Sequence, residues 1–218
     1  MGTGPVPDRE TYFDRWAGLH GGYDPRSNGL VRWWLSFAYA VARPFAQARV
    51  APGLVTAVGP LVGIGAVGLA AAGDAWLTAA ALLVVASGLL DSVDGAVAVL
   101  TDRVTRWGQV LDHLVDRVTD LLYLVALWLA GAPGQACVAG GVLMLLLEYV
   151  RARAAVAGMT EVGVVTVWER PTRVIVTAAF LASGVFGDLW PALGAAAWVG
   201  LGMVGLGQLL VVVRRRLA

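Results

Sequence analysis

Four aspartates lodged in apolar sequence constrain this chain more than any other feature. Asp91, Asp94, Asp112 and Asp116 lie in two long apolar runs, roughly Trp76 to Leu100 and Trp107 to Ala130. Each run exceeds the ~20 residues that carry a helix across a bilayer. A carboxylate inside such a run costs at least ~2.5 kcal/mol, so its presence marks a functional site.

Spacing brings the four together. Asp91 and Asp94 are three residues apart and Asp112 and Asp116 four apart, so each pair shares a helix face. The short loop between the runs makes them an antiparallel hairpin. At a rise of ~1.5 Å per residue, Asp91 and Asp116 each lie roughly 13 Å from the loop end, and Asp94 and Asp112 roughly 8–9 Å. The depths match in pairs, so the carboxylates are expected to converge. Four like charges repel and force protonation unless a divalent cation joins them. Hard oxygen ligands without a His or Cys cluster favour Mg²⁺ or Mn²⁺. Gly95 and Ala98 continue the face of the first pair, and Gly108 lies one turn before Asp112. Small residues there admit a helix or a ligand close to the backbone.

Asp91, Asp94, Gly95, Ala98, Gly108, Asp112 and Asp116 match in type and spacing the signature D-x2-D-G-x2-A-R-x8-G-x3-D-x3-D. The stretch therefore resembles the CDP-alcohol phosphotransferases. One position departs, the signature arginine being Val99. A weaker likeness lies at Pro52-Gly53-Leu54-Val55-Thr56, against Pro-Asn-x-x-Thr in that family. The resemblance implies six transmembrane helices, often in a dimer, and transfer of a phosphoalcohol from a CDP-linked donor to a hydroxyl with release of CMP. It implies metal at Asp91, Asp94 and Asp112, with Asp116 completing the metal site or acting as base. In a membrane enzyme the expected donor is a CDP-diacylglycerol. Gly95, Ala98 and Gly108, with Thr56, are expected to face its nucleotide. Arg103, one turn beyond Val99, is the expected substitute for the missing arginine.

Composition agrees with a membrane protein. The chain has 218 residues, 58% hydrophobic and only 14% charged, with a mean hydropathy of +0.73. That excludes an ordinary soluble domain. The net charge of +1, with no lysine, says nothing about partners, and no nucleic-acid partner is expected. Cys137 is the single cysteine, so neither a disulfide framework nor a thiol–metal site is expected. The N-terminus lacks an apolar core near its start and does not read as a signal peptide.

Taken in order, residues 1–50 read as a polar, Gly- and Pro-rich N-terminus followed by a juxtamembrane helix. Residues 51–218 read as a six-helix transmembrane catalytic domain. The juxtamembrane helix is expected from Asn28-Gly29 to about Arg43, where Pro44 interrupts it. Trp33, Trp34 and Phe37 oppose Arg32, Ser36 and Arg43, so the helix is amphipathic and is expected to lie at the membrane surface. The spanning runs are expected at about 53–72, 76–100, 107–130, 135–150, 172–187 and 192–213. Gly59-x-x-x-Gly63 signals close packing in the first, and the Gly200–Gly207 stripe does so in the last. Arg117 with Asp120, and Glu148 with Arg151, have the spacing of helical ion pairs.

Topology then follows from charge. Six spans place both termini on one side, together with Arg103, Arg106, Arg151, Arg153, Arg170, Arg173 and Arg214–Arg216. The opposite turns carry only Asp74 and Asp188. The positive-inside rule puts the termini and the acidic site at the cytoplasmic face of the cell membrane. Tyr149-x-Arg151-Ala-Arg153-Ala and Glu169-Arg170-Pro171-x-Arg173 look like segments of bacterial phosphatidylinositol phosphate synthases. That likeness implies that Arg151, Arg153, Arg170 and Arg173 bind the phosphate of an inositol phosphate acceptor. Glycerol phosphate or another alcohol is the alternative acceptor. A degenerate, non-catalytic binder of nucleotide-lipid is the alternative to an enzyme.

Overall fold

The computed structural model describes residues 6–19, 21–159 and 165–218, and every element among them is helical. The helices are α1 (Arg9–Leu19), α2 (Gly29–Gln47), α3 (Pro52–Ala71), α4 (Leu77–Leu100), α5 (Arg106–Leu129), α6 (Gly134–Val156), α7 (Arg170–Ser183) and α8 (Leu189–Leu217). Part of the loop expected over 158–169 falls outside the described residues.

Among the described residues, four stretches are long and apolar enough to cross a membrane: Pro52–Ala71, Asp74–Leu100, Gly134–Val156 and Leu189–Leu217. The expected six-span count meets two differences. α5 has 24 residues, but charged side chains from Arg106 to Asp120 interrupt its hydropathy. α7 has 14 residues, about 21 Å of helix against a ~30 Å hydrocarbon core. Large apolar side chains such as Leu61, Leu82, Val138, Ile175 and Met203 are exposed on these helices. Lipid suits such a surface and water does not.

The chain divides into two compact units, residues 1–59 with 89–116, and residues 60–88 with 117–218. In the first unit, α1 and α2 share an apolar core with the end of α4. Tyr12 and Phe13 of α1, each 1% exposed, pack with Ala38 and Ala42 of α2 and with Val93, Val97, Val99 and Leu100. α1 lies within the expected polar N-terminus, where no helix was expected. Its start is capped by Asp8, which accepts from the Thr11 N–H at 2.9 Å. Arg26 then ties it down through Glu10 at 2.9 Å, Asp14 at 2.9 Å and Asp24 at 3.2 Å. α2 begins as expected, with Asn28 accepting from the Val31 N–H at 3.3 Å. It does not stop at Pro44, whose carbonyl still accepts from Ala48 at 2.9 Å. It ends instead where Arg49 takes φ 57° and Val50 N–H bonds to the Phe45 carbonyl at 3.0 Å, a Schellman closure.

In the second unit the core runs through Ala66, Val84, Tyr123, Leu127, Met144, Leu147, Trp168, Leu181, Trp198 and Leu209. Small residues set how closely its helices approach. A Cβ on Gly205 of α8 would meet Trp168 Cβ at 2.7 Å, and one on Gly194 would meet Phe180 Cβ at 2.7 Å. Of the expected Gly stripe, Gly202 and Gly205 pack in this way, whereas Gly200 and Gly207 face open space. Trp168 and Trp198 meet edge to face at 5.0 Å.

Candidate metal and catalytic site

The first unit holds all four aspartates. α4 carries Asp91 and Asp94 in its second half, and α5 carries Asp112 and Asp116 in its first half. Two local devices fix the hairpin. α4 closes with Asp102 at φ 55°, the Arg103 N–H bonding to the Ala98 carbonyl at 2.9 Å. Aspartate tolerates that left-handed conformation better than most residues. α5 opens with Thr105, whose Oγ1 accepts from the Gly108 N–H at 2.9 Å.

Asp91, Asp112 and Asp116 each offer one carboxylate oxygen, and the three oxygens lie within 4.8 Å of one another. All three residues are half-buried. Oxygens around one Mg²⁺ at ~2.1 Å lie ~3.0–4.2 Å apart, and around a larger divalent ion somewhat more, so the three oxygens are within reach of a shared ion. An all-carboxylate set of hard donors fits that class of ion. Asp94 takes a different place. It is 4% exposed, and its carboxylate faces Thr56 of α3 and the Gly95 N–H. Three residues along an α-helix turn the side chain by about 60° relative to Asp91. That rotation takes Asp94 toward α3, while Asp91 faces α5. Asp94 nevertheless stays close enough to Asp112 and Asp91 to feel their charges.

The small residues divide as well. A Cβ on Gly95 would meet nothing within 4 Å, so the surface beside Asp94 is open. A Cβ on Gly108 would lie 2.9 Å from Thr105 Oγ1, so this glycine is already required by the cap. Thr105, three residues before Gly108, was legible as a helix start but was not singled out. Ala98 is half-buried and Arg103 is exposed in the 101–105 loop. Val99, at the departing position, is 7% exposed in the apolar core with α1.

The second unit holds the four arginines expected at an acceptor. Arg153 is exposed near the end of α6. Arg151 donates to Glu169 at 2.7 Å and to Glu148 at 3.5 Å. Arg170, in the first turn of α7, is half-buried. Arg173 is 1% exposed. It donates to Asp120, to Glu148 at 2.9 Å and to the Trp168 carbonyl at 3.3 Å. Direct contact with a small molecule would require Arg173 to leave these partners. Arg117 lies 3.7 Å from Asp120 and also pairs with Glu148, so both expected helical pairs form within a larger network. Glu169 stands just before α7. It proves to be a hub, with one oxygen accepting from Arg151, the Thr166 N–H and the Thr166 hydroxyl at 2.7–2.8 Å.

The CDP-alcohol phosphatidyltransferase family model matches residues 49–206, which include Asp91, Asp94, Asp112 and Asp116. The chain belongs to that family. As a CDP-alcohol phosphatidyltransferase it is a transferase of phospholipid biosynthesis. It is 37% identical over 158 residues to the archaetidylinositol phosphate synthase of Aeropyrum pernix, covering 66% of this chain and 79% of that protein. It is 32% identical over 176 residues to the phosphatidylinositol phosphate synthase of Corynebacterium glutamicum, covering 77% and 69%. Among solved structures, the Mycobacterium tuberculosis phosphatidylinositol phosphate synthase in complex with manganese and citrate aligns with a TM-score of 0.70 at 26% identity. That alignment covers 81% of this chain and 88% of the other.

Proposed function

We propose that this phosphatidyltransferase moves a phosphatidyl group from CDP-diacylglycerol to a hydroxyl of a phosphorylated polyol, inositol phosphate first, and releases CMP. The observation that carries the reading is the three-carboxylate group of Asp91, Asp112 and Asp116. With Asp94 beside them, these are the ligands for Mg²⁺ or Mn²⁺. A bound ion supplies positive charge against the donor diphosphate as negative charge develops on it. Asp116 takes the proton from the acceptor hydroxyl. The hydroxyl oxygen bonds to the phosphorus bearing the lipid, the bond from that phosphorus to the bridging oxygen breaks, and CMP leaves. Gly95, Ala98, Gly108, Thr56 and Arg103 are the nucleotide's surroundings. The open space at Gly95, beside the aspartates, supports this assignment, because it leaves room for a ligand against the backbone.

The acceptor's phosphate is assigned to Arg151, Arg153 and Arg170, with Arg173 organising the group from behind. Charge-assisted bonds of ~1.5–3 kcal/mol each favour a phosphorylated acceptor over a free polyol. Relatives named for inositol phosphate products support the choice of polyol. α5 and α7 complete six crossings, α2 lies along the membrane surface, the site opens to the cytoplasm across the cell membrane, and the enzyme works as a homodimer.

The test is CMP release from CDP-diacylglycerol, and from its ether-linked counterpart, with inositol phosphate, glycerol phosphate and free inositol as acceptors. Inositol phosphate is expected to react best. No CMP with any acceptor, in Mg²⁺ or Mn²⁺, overturns the enzymatic reading in favour of a nucleotide-lipid binder. Equal reaction of free inositol overturns the acceptor assignment.

A further inference from the structure

The family signature places an arginine where this chain has Val99, and the structure shows what arrives there. Val99 points its side chain into the apolar core that α1 completes with Tyr12 and Phe13. An arginine at 99 would bury a guanidinium in that core. A guanidinium nevertheless reaches the same residue from another element. Arg15 of α1 donates Nη1 to the Val99 carbonyl at 3.2 Å.

That carbonyl belongs to the last turn of α4, where helix carbonyls lack partners from the helix itself. The closing turn serves it poorly, since the Asp102 N–H is 3.4 Å away, whereas Arg103 N–H reaches Ala98 at 2.9 Å. Arg15 therefore supplies the stronger donor, and it brings a positive charge to a helix C-terminus. Its own platform is firm. Tyr12 and Phe13 anchor α1, Arg26 clamps Glu10 and Asp14, and the Tyr39 hydroxyl donates to the Pro7 carbonyl at 3.1 Å.

We propose that Arg15 is a positioning residue for the CDP-linked donor. It stands in, from a helix outside the signature, for the arginine missing at 99, and holds the end of α4 and the 101–105 loop in register with the aspartates. This rests on the donor chemistry proposed above. Arg103, the substitute expected from spacing, gives its backbone N–H to the turn and keeps its side chain exposed in the loop.

The test measures CMP release and amide hydrogen exchange on the full chain for wild type, Arg15→Ala and Arg15→Lys. Arg15 is exposed and its removal leaves the core of α1 intact, so all three are expected to fold. Arg15→Ala is expected to raise KM for CDP-diacylglycerol about five- to tenfold at nearly constant kcat, the scale of one ordinary, part-buried hydrogen bond. It also speeds exchange at Asp102 and Arg103. Arg15→Lys restores most of both. A KM within twofold of wild type in Arg15→Ala, or faster exchange without any change in KM, overturns the proposal. Wild type that releases no CMP defeats the parent reading instead, and unchanged exchange at 102–103 in Arg15→Ala then defeats the clamp independently.

Discussion

Removing the charge of Asp120 while keeping its shape tests how the second unit holds itself together. Asp120 is 0% exposed and Arg173 1% exposed, so neither charge is solvated by water. Two charges at ~4 Å interact by about 4 kcal/mol at an effective dielectric near 20. Deleting one member of a buried pair typically costs ~3–5 kcal/mol, because the other is left uncompensated. Here the compensation is partial. Arg173 keeps Glu148 at 2.9 Å and the Trp168 carbonyl at 3.3 Å. Asp120→Asn is therefore expected at the low end, about 3 kcal/mol. For a chain of this length that is roughly 6–12 °C in Tm. Thermal unfolding in detergent, followed by tryptophan fluorescence, reads it. The double variant Asp120→Leu/Arg173→Met replaces both charges by apolar bulk and is expected to recover at least ~2 kcal/mol relative to the sum of the two single variants. Single variants that cost under ~0.5 kcal/mol, or a strictly additive double variant, refute the reasoning. Either result means the network is hydrated, and its members are then as available to a ligand as any surface arginine.

Gly95→Ala separates stability from function: the new methyl meets nothing in the protein, so Tm should hold or rise with helix propensity of up to ~1 kcal/mol, while the KM for the CDP donor rises. Unchanged kinetics would show that the nucleotide does not pack there. Asp91→Asn and Asp112→Asn should each abolish CMP release without lowering Tm, and EDTA should do the same to wild type, reversibly with Mg²⁺ or Mn²⁺; activity in excess chelator counts against the metal assignment. Hydrogen bonds from Arg26 hold Glu10 below its ordinary 4.5, and the Arg26 backbone N–H holds Asp24 below its ordinary 3.8. Depressed carboxylates stabilise above their unfolded values and lose that contribution as pH falls through the folded ones, so limited proteolysis should begin to cut α1 below about pH 4.5; cleavage equal at pH 7 and pH 3.5 excludes the latch.

The acidic site was largely legible because the bilayer makes charge expensive. Asp91, Asp112 and Asp116 stand out against apolar sequence, and helical spacing alone predicts that they meet. What spacing did not convey was rotation, which gives Asp94 its additional contact with Thr56 while it remains beside Asp91 and Asp112. α1 was hidden for the opposite reason. Its buried face is essentially Tyr12 and Phe13, set among Asp, Glu and Arg and flanked by Gly and Pro. Two aromatics cannot raise a periodic signal, and the core they join is supplied by residues about 80 positions further along the chain, at Val93–Leu100. Pro44 misled because proline removes one N–H and yet leaves its carbonyl free to accept, which it does from Ala48.

The arginines show why a shared topological side is not a shared role. Arg151, Arg153, Arg170 and Arg173 looked equivalent in sequence, four cations near the ends of two helices. Burial separates them. Arg173 has 1% exposure and three acceptors, among them two carboxylates. A phosphate arriving there would have to displace Asp120 or Glu148 and leave that carboxylate buried and uncompensated, at a cost that matches what the new ion pair returns. Arg153 faces no such exchange, since it is exposed at the end of α6. Arg151 lies between these cases, because its partners Glu148 and Glu169 are themselves partly exposed and can be re-solvated when it turns away. Acceptor binding should therefore be most sensitive at Arg153, fold stability most sensitive at Arg173, and Arg151 should register in both. Arg153→Ala and Arg173→Ala, compared by acceptor KM and by Tm, would have to exchange these signatures for the ordering to be wrong.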